Sequence, residues 1–328
     1  MNIYDIAACS GVSIATVSRV LNNSPSVSPK TREKVLRVMQ QESYTPNAFA
    51  RGLGLNSMHM IGLLCTDVSD TYYAKAVSLV EKRLRKDSYD ALLCCTGNDP
   101  TDQKKFLQLL LSKHVDAVIL IGSAFKEDAQ NAYLAQAAKE VPVVIINGLV
   151  ELPGVYCVLC DERNAVRQNV HSLLHQGITR ILYLYDVLTY SGCQKRVGYQ
   201  DGLAEAGLPE MPELTVQVPK SIPEVRDAVA ALLKDGPSFS AILASEDLIA
   251  IGALKALQNA GLQMPVIGFN NSILAQCASP GLTSVDNMLE ILCPTAVGLL
   301  EKLLSGEPVP QKTVISSRLV ERETFHAN

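Results

Sequence analysis

From residue 61 to residue 269 the chain repeats one pattern: a short run of aliphatic and β-branched residues, then an amphipathic stretch. The candidate strands are IGLLC (61–65), ALLCC (91–95), AVILI (117–121), VVIIN (143–147) and VYCVLC (155–160), followed by ILYLY (181–185), LTVQV (214–218), AILA (241–244) and VIGF (266–269). These runs are apolar at successive positions instead of alternating, so both faces of each strand must be covered. Strands covered on both faces and separated by helices form parallel sheets, which makes the body an α/β structure. Because the pattern runs in two series, it predicts two similar lobes. At 328 residues the chain has room for both lobes and a further small unit.

Composition removes several classes. With 48% hydrophobic and 19% charged residues the chain is not a disordered one. No apolar run reaches the roughly 18 residues of a membrane span, so no membrane association is expected. The start, MNIYDIAACSGVS, lacks a basic stretch followed by an apolar one, which predicts a cytoplasmic protein. Nine cysteines, an odd number, do not form a disulfide framework and read as small buried hydrophobes. Cys157 and Cys160 have CxxC spacing, but on a strand they point to opposite faces, which argues against a metal or redox pair. His59, His114, His171 and His175 have no cysteine partners at ligand spacing. The phosphate-cradling glycine loops, HExxH and GxSxG are also missing, so neither an enzyme, a cofactor nor a metal is expected.

Charge is unevenly placed. Residues 1–60 hold six Lys/Arg against three acids, a net +3, whereas the remainder holds 23 against 30, a net −7. A basic head on an acidic body suits a protein that brings only one end to a polyanion. In that head, residues 3–21 read as two short helices around Gly11, with Ser13 capping the second. At about 100° per residue, Val17, Val20 and Leu21 share one sector, the core side. Ala15 and Arg19 centre the opposite side, with Ile14, Thr16 and Ser18 around them. Arg19 is suited to guanine, Ile14 and Ala15 to a thymine methyl, and Thr16 and Ser18 to phosphate. A solvated surface arginine is the plainer alternative. Ser28 and Pro29 open a third helix whose apolar positions are Val35, Val38 and Met39. The next stretch, YTPNAFARGLGLNS, is a marginal helix because Gly52 and Gly54 each cost about 1 kcal/mol relative to alanine. It reads either as a hinge with Leu53 as a minor-groove wedge or as a linker.

Ligands of open α/β sheets bind beyond the carboxyl ends of the strands, here between the two lobes. The positions to inspect are 66–73, Asn147, 186–196, 245–247 and 270–271. Their aromatic, carboxylate, amide and guanidinium groups suit a polar, polyhydroxylated small molecule. Asp247 also reads as a helix cap.

The runs IYDIAACSGVSIATVSRVLNN, VSPKTREKV, YTPNAFARGLGLNS, KRVGYQDGLAEAGL, ASEDLIAIGAL, VIGFNN, PGLTSVDNM and SRLVERET together resemble the lactose/galactose repressor family of bacterial transcription regulators. That resemblance spans essentially the whole chain. It implies a sequence-specific DNA-binding regulator, most simply a repressor, with a helix-turn-helix head at 1–45, a hinge at 46–59 and a periplasmic-binding-protein-like body at 60–328. Lobe one is then about 60–160 with 287–316, and lobe two about 161–286 with 317–328. It further implies a homodimer or tetramer on a pseudo-palindromic double-stranded DNA operator, controlled by a small-molecule effector such as a sugar. By this resemblance Ile14, Ala15 and Arg19 read bases, Thr16, Ser18, Asn22 and Tyr44 meet the backbone, and Leu53 enters the minor groove. The effector pocket falls on Tyr72, Tyr73, Asn147, Tyr190, Arg196, Glu246 and Asn270. Departures stand out: TDVSDTYY lacks prolines common at that place, Ile178 replaces a usual histidine, and Asn270 replaces a common aspartate. The last change removes a strong acceptor and points away from a simple hexose. Control by a phosphocarrier protein, or less directly a solute-binding role, are the alternatives.

Overall fold

The computed structural model describes residues 2–21, 24–44, 57–125 and 132–327. Three helices form the head: α1 (Ile3–Ser10), α2 (Ile14–Leu21) and α3 (Pro29–Gln41). Local chemistry sets each boundary. Asn2 Oδ1 accepts from the Tyr4 and Asp5 amides while Asp5 Oδ2 accepts from the Asn2 amide, a reciprocal cap on α1. Gly11, at φ 61°, ends α1 in a left-handed turn that a Cβ would strain. Ser13 Oγ accepts from the Thr16 amide at 3.2 Å and opens α2; Ser28 does the same for Thr31 at α3, with Pro29 as its first residue. Ile6, Ala7, Val17, Val20, Val35 and Met39 make the small core.

In chain order the body contains β1 (Met60–Cys65), α4 (Thr71–Lys86), β2 (Asp90–Cys95), α5 (Pro100–Ser112), β3 (Ala117–Ile121), α6 (Ala132–Glu140), β4 (Val143–Ile146), β5 (Val155–Cys160), α7 (Glu162–His175) and β6 (Ile181–Tyr185). There follow α8 (Tyr190–Glu205), β7 (Thr215–Gln217), α9 (Ile222–Asp235), β8 (Ala241–Ala244), α10 (Asp247–Asn259), β9 (Val266–Phe269), α11 (Ile273–Cys277), β10 (Thr283–Asp286), α12 (Leu289–Leu304), β11 (Lys312–Ile315) and β12 (Arg318–Val320).

Two six-stranded sheets result, ordered β11-β5-β4-β3-β1-β2 and β12-β10-β9-β8-β6-β7. All neighbours are parallel except β12, which runs antiparallel to β10. The inner strands of each sheet are buried on both faces, as their uninterrupted apolar runs demand, whereas β2, whose run ALLCC predicts the same cover, is a largely exposed edge. In the first, Ile61, Leu63, Ile119 and Val158 face α4 and α12, while Leu64, Val118, Leu120 and Val143 face α5 and α6. Cys157 and Cys160 fall into these opposite layers. In the second, Leu182 and Ile242 meet α9 and α10, and Tyr183 and Leu243 meet α7 and α8.

The nine strands expected from the sequence are present, with LTVQV shortened because Leu214 belongs to a single 3₁₀ turn at Pro212–Leu214. Three strands went unread. β10 is a polar run, TSVD, buried at every position because its hydroxyls bond inside the lobe: Ser284 Oγ to Asp247 and Thr283 Oγ1 to the Phe325 carbonyl. β11 and β12 are short, half-exposed edges that carry little hydrophobic signal. After β5, after β10 and between β11 and β12 the chain passes from one sheet to the other, three times in all among the described residues.

Candidate DNA-contacting helix and ligand cleft

Burial of Val17 and Val20 fixes how α2 is rotated: Ile14, Ala15 and Arg19 are exposed and Thr16 and Ser18 half-buried. The Thr16 hydroxyl lies 2.9 Å from that of Ser13, at the amino end of the helix. Among the described residues no side-chain hydrogen bond or ion pair holds Arg19. Arg32 donates to the Val20 and Ser24 carbonyls at 3.3 and 2.6 Å, tying the carboxyl end of α2 to α3. Tyr44 is half-buried against the head core, its amide bonded to the Met39 carbonyl. Asn22 and Leu53, the remaining positions expected to meet DNA, lie outside the described residues.

Between the two sheets a cleft of about 1160 Å³ is lined by loops that follow strand carboxyl ends. From the first sheet come Tyr72 and Tyr73, which open α4 and pack edge to face with centroids 5.3 Å apart. Gly122, at φ 102°, passes beneath Tyr73 so closely that a Cβ would stand 2.5 Å from the ring. Burial pushes both phenols above the usual range, and the Tyr72 hydroxyl is buried with no partner. Asn147 is placed at the end of β4 with φ 58°. Its amide is largely committed: Oδ1 accepts from the Cys160 amide at 3.1 Å and Nδ2 donates to Glu162 Oε1 at 3.0 Å.

The second sheet contributes most of the charge. Glu162, 2% exposed, also accepts from the Ser191 hydroxyl at 2.7 Å. The Lys195 ammonium is 3.7 Å from Glu162 Oε1, donates to the Ser245 carbonyl at 3.0 Å and lies 4.0 Å from the Phe269 ring centroid. Glu246 lines the cleft, its carboxyl raised by burial against the pull of Lys220. Asn270 lines it too, with Oδ1 accepting from Asn287 Nδ2 at 3.0 Å.

Two expected pocket residues sit elsewhere. Arg196 points away from the cleft, 3.7 Å from Glu210 and 5.8 Å from the Tyr185 ring. The reason is rotation along α8, whose buried stripe is Ser191, Lys195, Gly198 and Gly202; position 196 is one step, about 100°, off it. Lys195 therefore takes the inward place. Tyr190 packs its ring against the core of the first lobe instead of lining the cleft. Asp247 is not a cap either: it lies in the first turn of α10 and braces the Ser272 amide at 2.7 Å and the Ser284 hydroxyl at 2.5 Å. Sequence reasoning missed Lys220 and Glu162, and covered Asp70 and Lys195 only within the stretches 66–73 and 186–196 without naming them; the Gly198/Gly202 spacing was the available signal for Lys195.

Residues 2–47 match the model of bacterial regulatory proteins of the lacI family, and residues 58–313 that of periplasmic binding proteins and the sugar binding domain of the LacI family. An HTH-type transcriptional regulator of Lachnoclostridium phytofermentans is 48% identical over 330 residues, covering 99% of each chain. Among solved structures, a transcriptional regulator CelR–cellobiose complex is similar at 27% identity with a TM-score of 0.73, covering 99% of this chain and all of that one. The lac repressor dimer bound to operator and the anti-inducer ONPF shares the fold at 24% identity and TM-score 0.89, covering 99% and 98%. With an outward-facing second helix in a basic head and a cleft between twin parallel sheets, the chain belongs to the LacI family, as a helix-turn-helix transcriptional regulator with a sugar-binding-type body and not an enzyme.

Proposed function

We propose that the protein represses transcription in the cytoplasm as a homodimer on a pseudo-palindromic operator, and that a small polar effector in the cleft controls its hold on DNA. The observation that carries this reading is the orientation of α2, which buries Val17 and Val20 and leaves Ile14, Ala15 and Arg19 facing outward together. Those three meet base edges in the major groove; Thr16 and Ser18, with Asn22 and Tyr44, meet phosphates, and Leu53 the minor groove. The dimer reading draws support from β2, an unpaired sheet edge with Leu93 38% exposed. The body divides as 60–160 with 287–316 and 161–286 with 317–328.

In the cleft, Tyr72, Tyr73, Glu246, Asn270 and the inward-turned Lys195 hold the effector, and Asn147 positions the wall around it. The orphaned Tyr72 hydroxyl and the buried, unpartnered Ser272 hydroxyl favour a ligand rich in hydroxyl groups, as does the cellobiose carried by the similar regulator. Six carboxylates against two ammonium groups line the cleft, which disfavours a phosphorylated or carboxylated effector.

The test is operator selection from a random duplex pool with the wild type and Arg19→Ala. The variant loses about 1–3 kcal/mol and relaxes preference at one base pair per half-site while melting unchanged. An identical preference at every position would remove Arg19 from the reading surface.

A further inference from the structure

We propose that Lys220 is a latch that holds the two lobes together across the cleft, an inference that rests on reading this cleft as the ligand site. The Lys220 ammonium is 2.6 Å from Asp70 Oδ2 and 2.6 Å from Glu246 Oε2. Asp70 belongs to the first lobe, and Lys220 and Glu246 to the second. Among the described residues this is the only ion pair that joins the lobes. The sole hydroxyl pair doing so is Ser123 to Thr189, at 2.8 Å.

Both ends of the latch are anchored. Asp70 caps α4 through Oδ1, which accepts from the Tyr72 amide at 2.8 Å, so moving Asp70 moves the two cleft tyrosines. On the other side, the loop carrying Lys220 is tied to the second sheet by the Val218 amide on the Tyr185 carbonyl and by Gln217 Nε2 on the Asp186 carbonyl, both at 2.8 Å. Glu246 precedes α10 without capping it, and Lys220 is its only side-chain partner among the described residues. Burial works against the charged lysine, yet Glu246 and Asp70 hold its ammonium above the ordinary lysine range. The ammonium is exposed on one side, but it is paired twice and its two carboxylates are largely shielded, so the contact is stronger than a single surface pair and weakens with salt. A ligand that donates hydrogen bonds to Asp70 or Glu246 competes with the same ammonium, so binding and lobe opening draw on one pair of carboxylates.

The experiment is hydrogen–deuterium exchange on the full chain, without DNA or ligand, for the wild type, Lys220→Met, Lys220→Arg and Asp70→Asn. Residues 121–125 and 187–192, around the Ser123–Thr189 contact that Lys220 does not touch, report on separation of the lobes. Lys220→Met and Asp70→Asn should each speed exchange there about two- to fivefold, and the double variant no further. Lys220→Arg should retain protection, and 1 M salt should mimic the loss in the wild type. Asparagine still caps a helix, so Asp70→Asn decides the matter even where Lys220→Met misfolds. Acceleration confined to residues 218–222, or none, would overturn the latch and leave the regulator reading standing. A chain that keeps the exchange result but binds no polar metabolite in equilibrium dialysis would overturn the ligand reading instead.

Discussion

The two lobes share one strand order, differing only in the antiparallel β12, and divide the chemistry between them. In each, the first strand of the series sits inside its sheet, with the second strand on one side and the third on the other, so the cleft opens at equivalent turning points. Yet the first lobe supplies both aromatic rings, Tyr72 and Tyr73, whereas the second supplies both lysines and four of the six lining carboxylates, Glu162, Asp186, Glu246 and Asp247. Their helix layers differ as well. On the second sheet, α7 and α8 meet through Gly198 and Gly202, while α4 meets α12 in the first through Ala76, Val80 and Leu84. Equal strand order therefore leaves side-chain chemistry free to specialise: one wall shapes and stacks, the other sets charge.

Four changes probe this division, from the largest expected effect to the smallest. Lys195→Met leaves the Glu162 carboxylate buried without its cation and should cost about 3–5 kcal/mol in urea unfolding. A loss under 1 kcal/mol would mean that Asn147 and Ser191 alone satisfy Glu162, and that charge in the second lobe is dispensable to its fold. Next come two helical glycines of opposite expected sign. A Cβ at Gly198 would lie 2.2 Å from the Arg163 carbonyl oxygen, so Gly198→Ala should destabilise by about 1–3 kcal/mol. Nothing lies within 4 Å of a Cβ at Gly298 on α12, so Gly298→Ala should stabilise by about 1 kcal/mol. Thermal melts of the pair check both, and equal signs would erase the contrast between the helix layers.

The smallest effect concerns pH and the first lobe. Burial, with the Asp87 carboxylate nearby adding to it, raises the Glu301 carboxyl from 4.5 to about 7, against the pull of Arg83. The folded state thus holds a proton that the unfolded chain releases, and stability falls as pH rises from about 4.5 to 7. Glu301→Gln should flatten that slope; a slope unchanged in the variant would assign it to other groups.

Legibility in the sequence followed burial. Parallel strands covered on both faces announce themselves as continuous apolar runs, and AVILI, ILYLY, AILA and VIGF have the same limits in the structure as in the sequence. β10 could not be read this way, because its polar side chains are satisfied by partners from distant parts of the chain such as Asp247, Arg322 and Phe325. In the head, periodicity sufficed to place Val17 and Val20 inward and Arg19 outward, since a short two-sided helix has only one way to face its core. Rotation of α8 was harder: it buries small and polar residues, so its apolar pattern does not mark the inner face, and Arg196 was preferred to Lys195 on resemblance. Lys220 was hidden for a different reason. It follows the short edge strand β7, and its partners come from residue 70 and residue 246, a juxtaposition that only the folded chain creates.

The threefold passage of the chain between the sheets bears on how the molecule is made. β11 and β12, an edge of each sheet, lie at residues 312–315 and 318–320, long after the strands they pair with, so both lobes wait for this stretch before their sheets are complete. A chain cut short before residue 312 would leave β5 and β10 as open edges, and neither lobe can be excised as one continuous stretch.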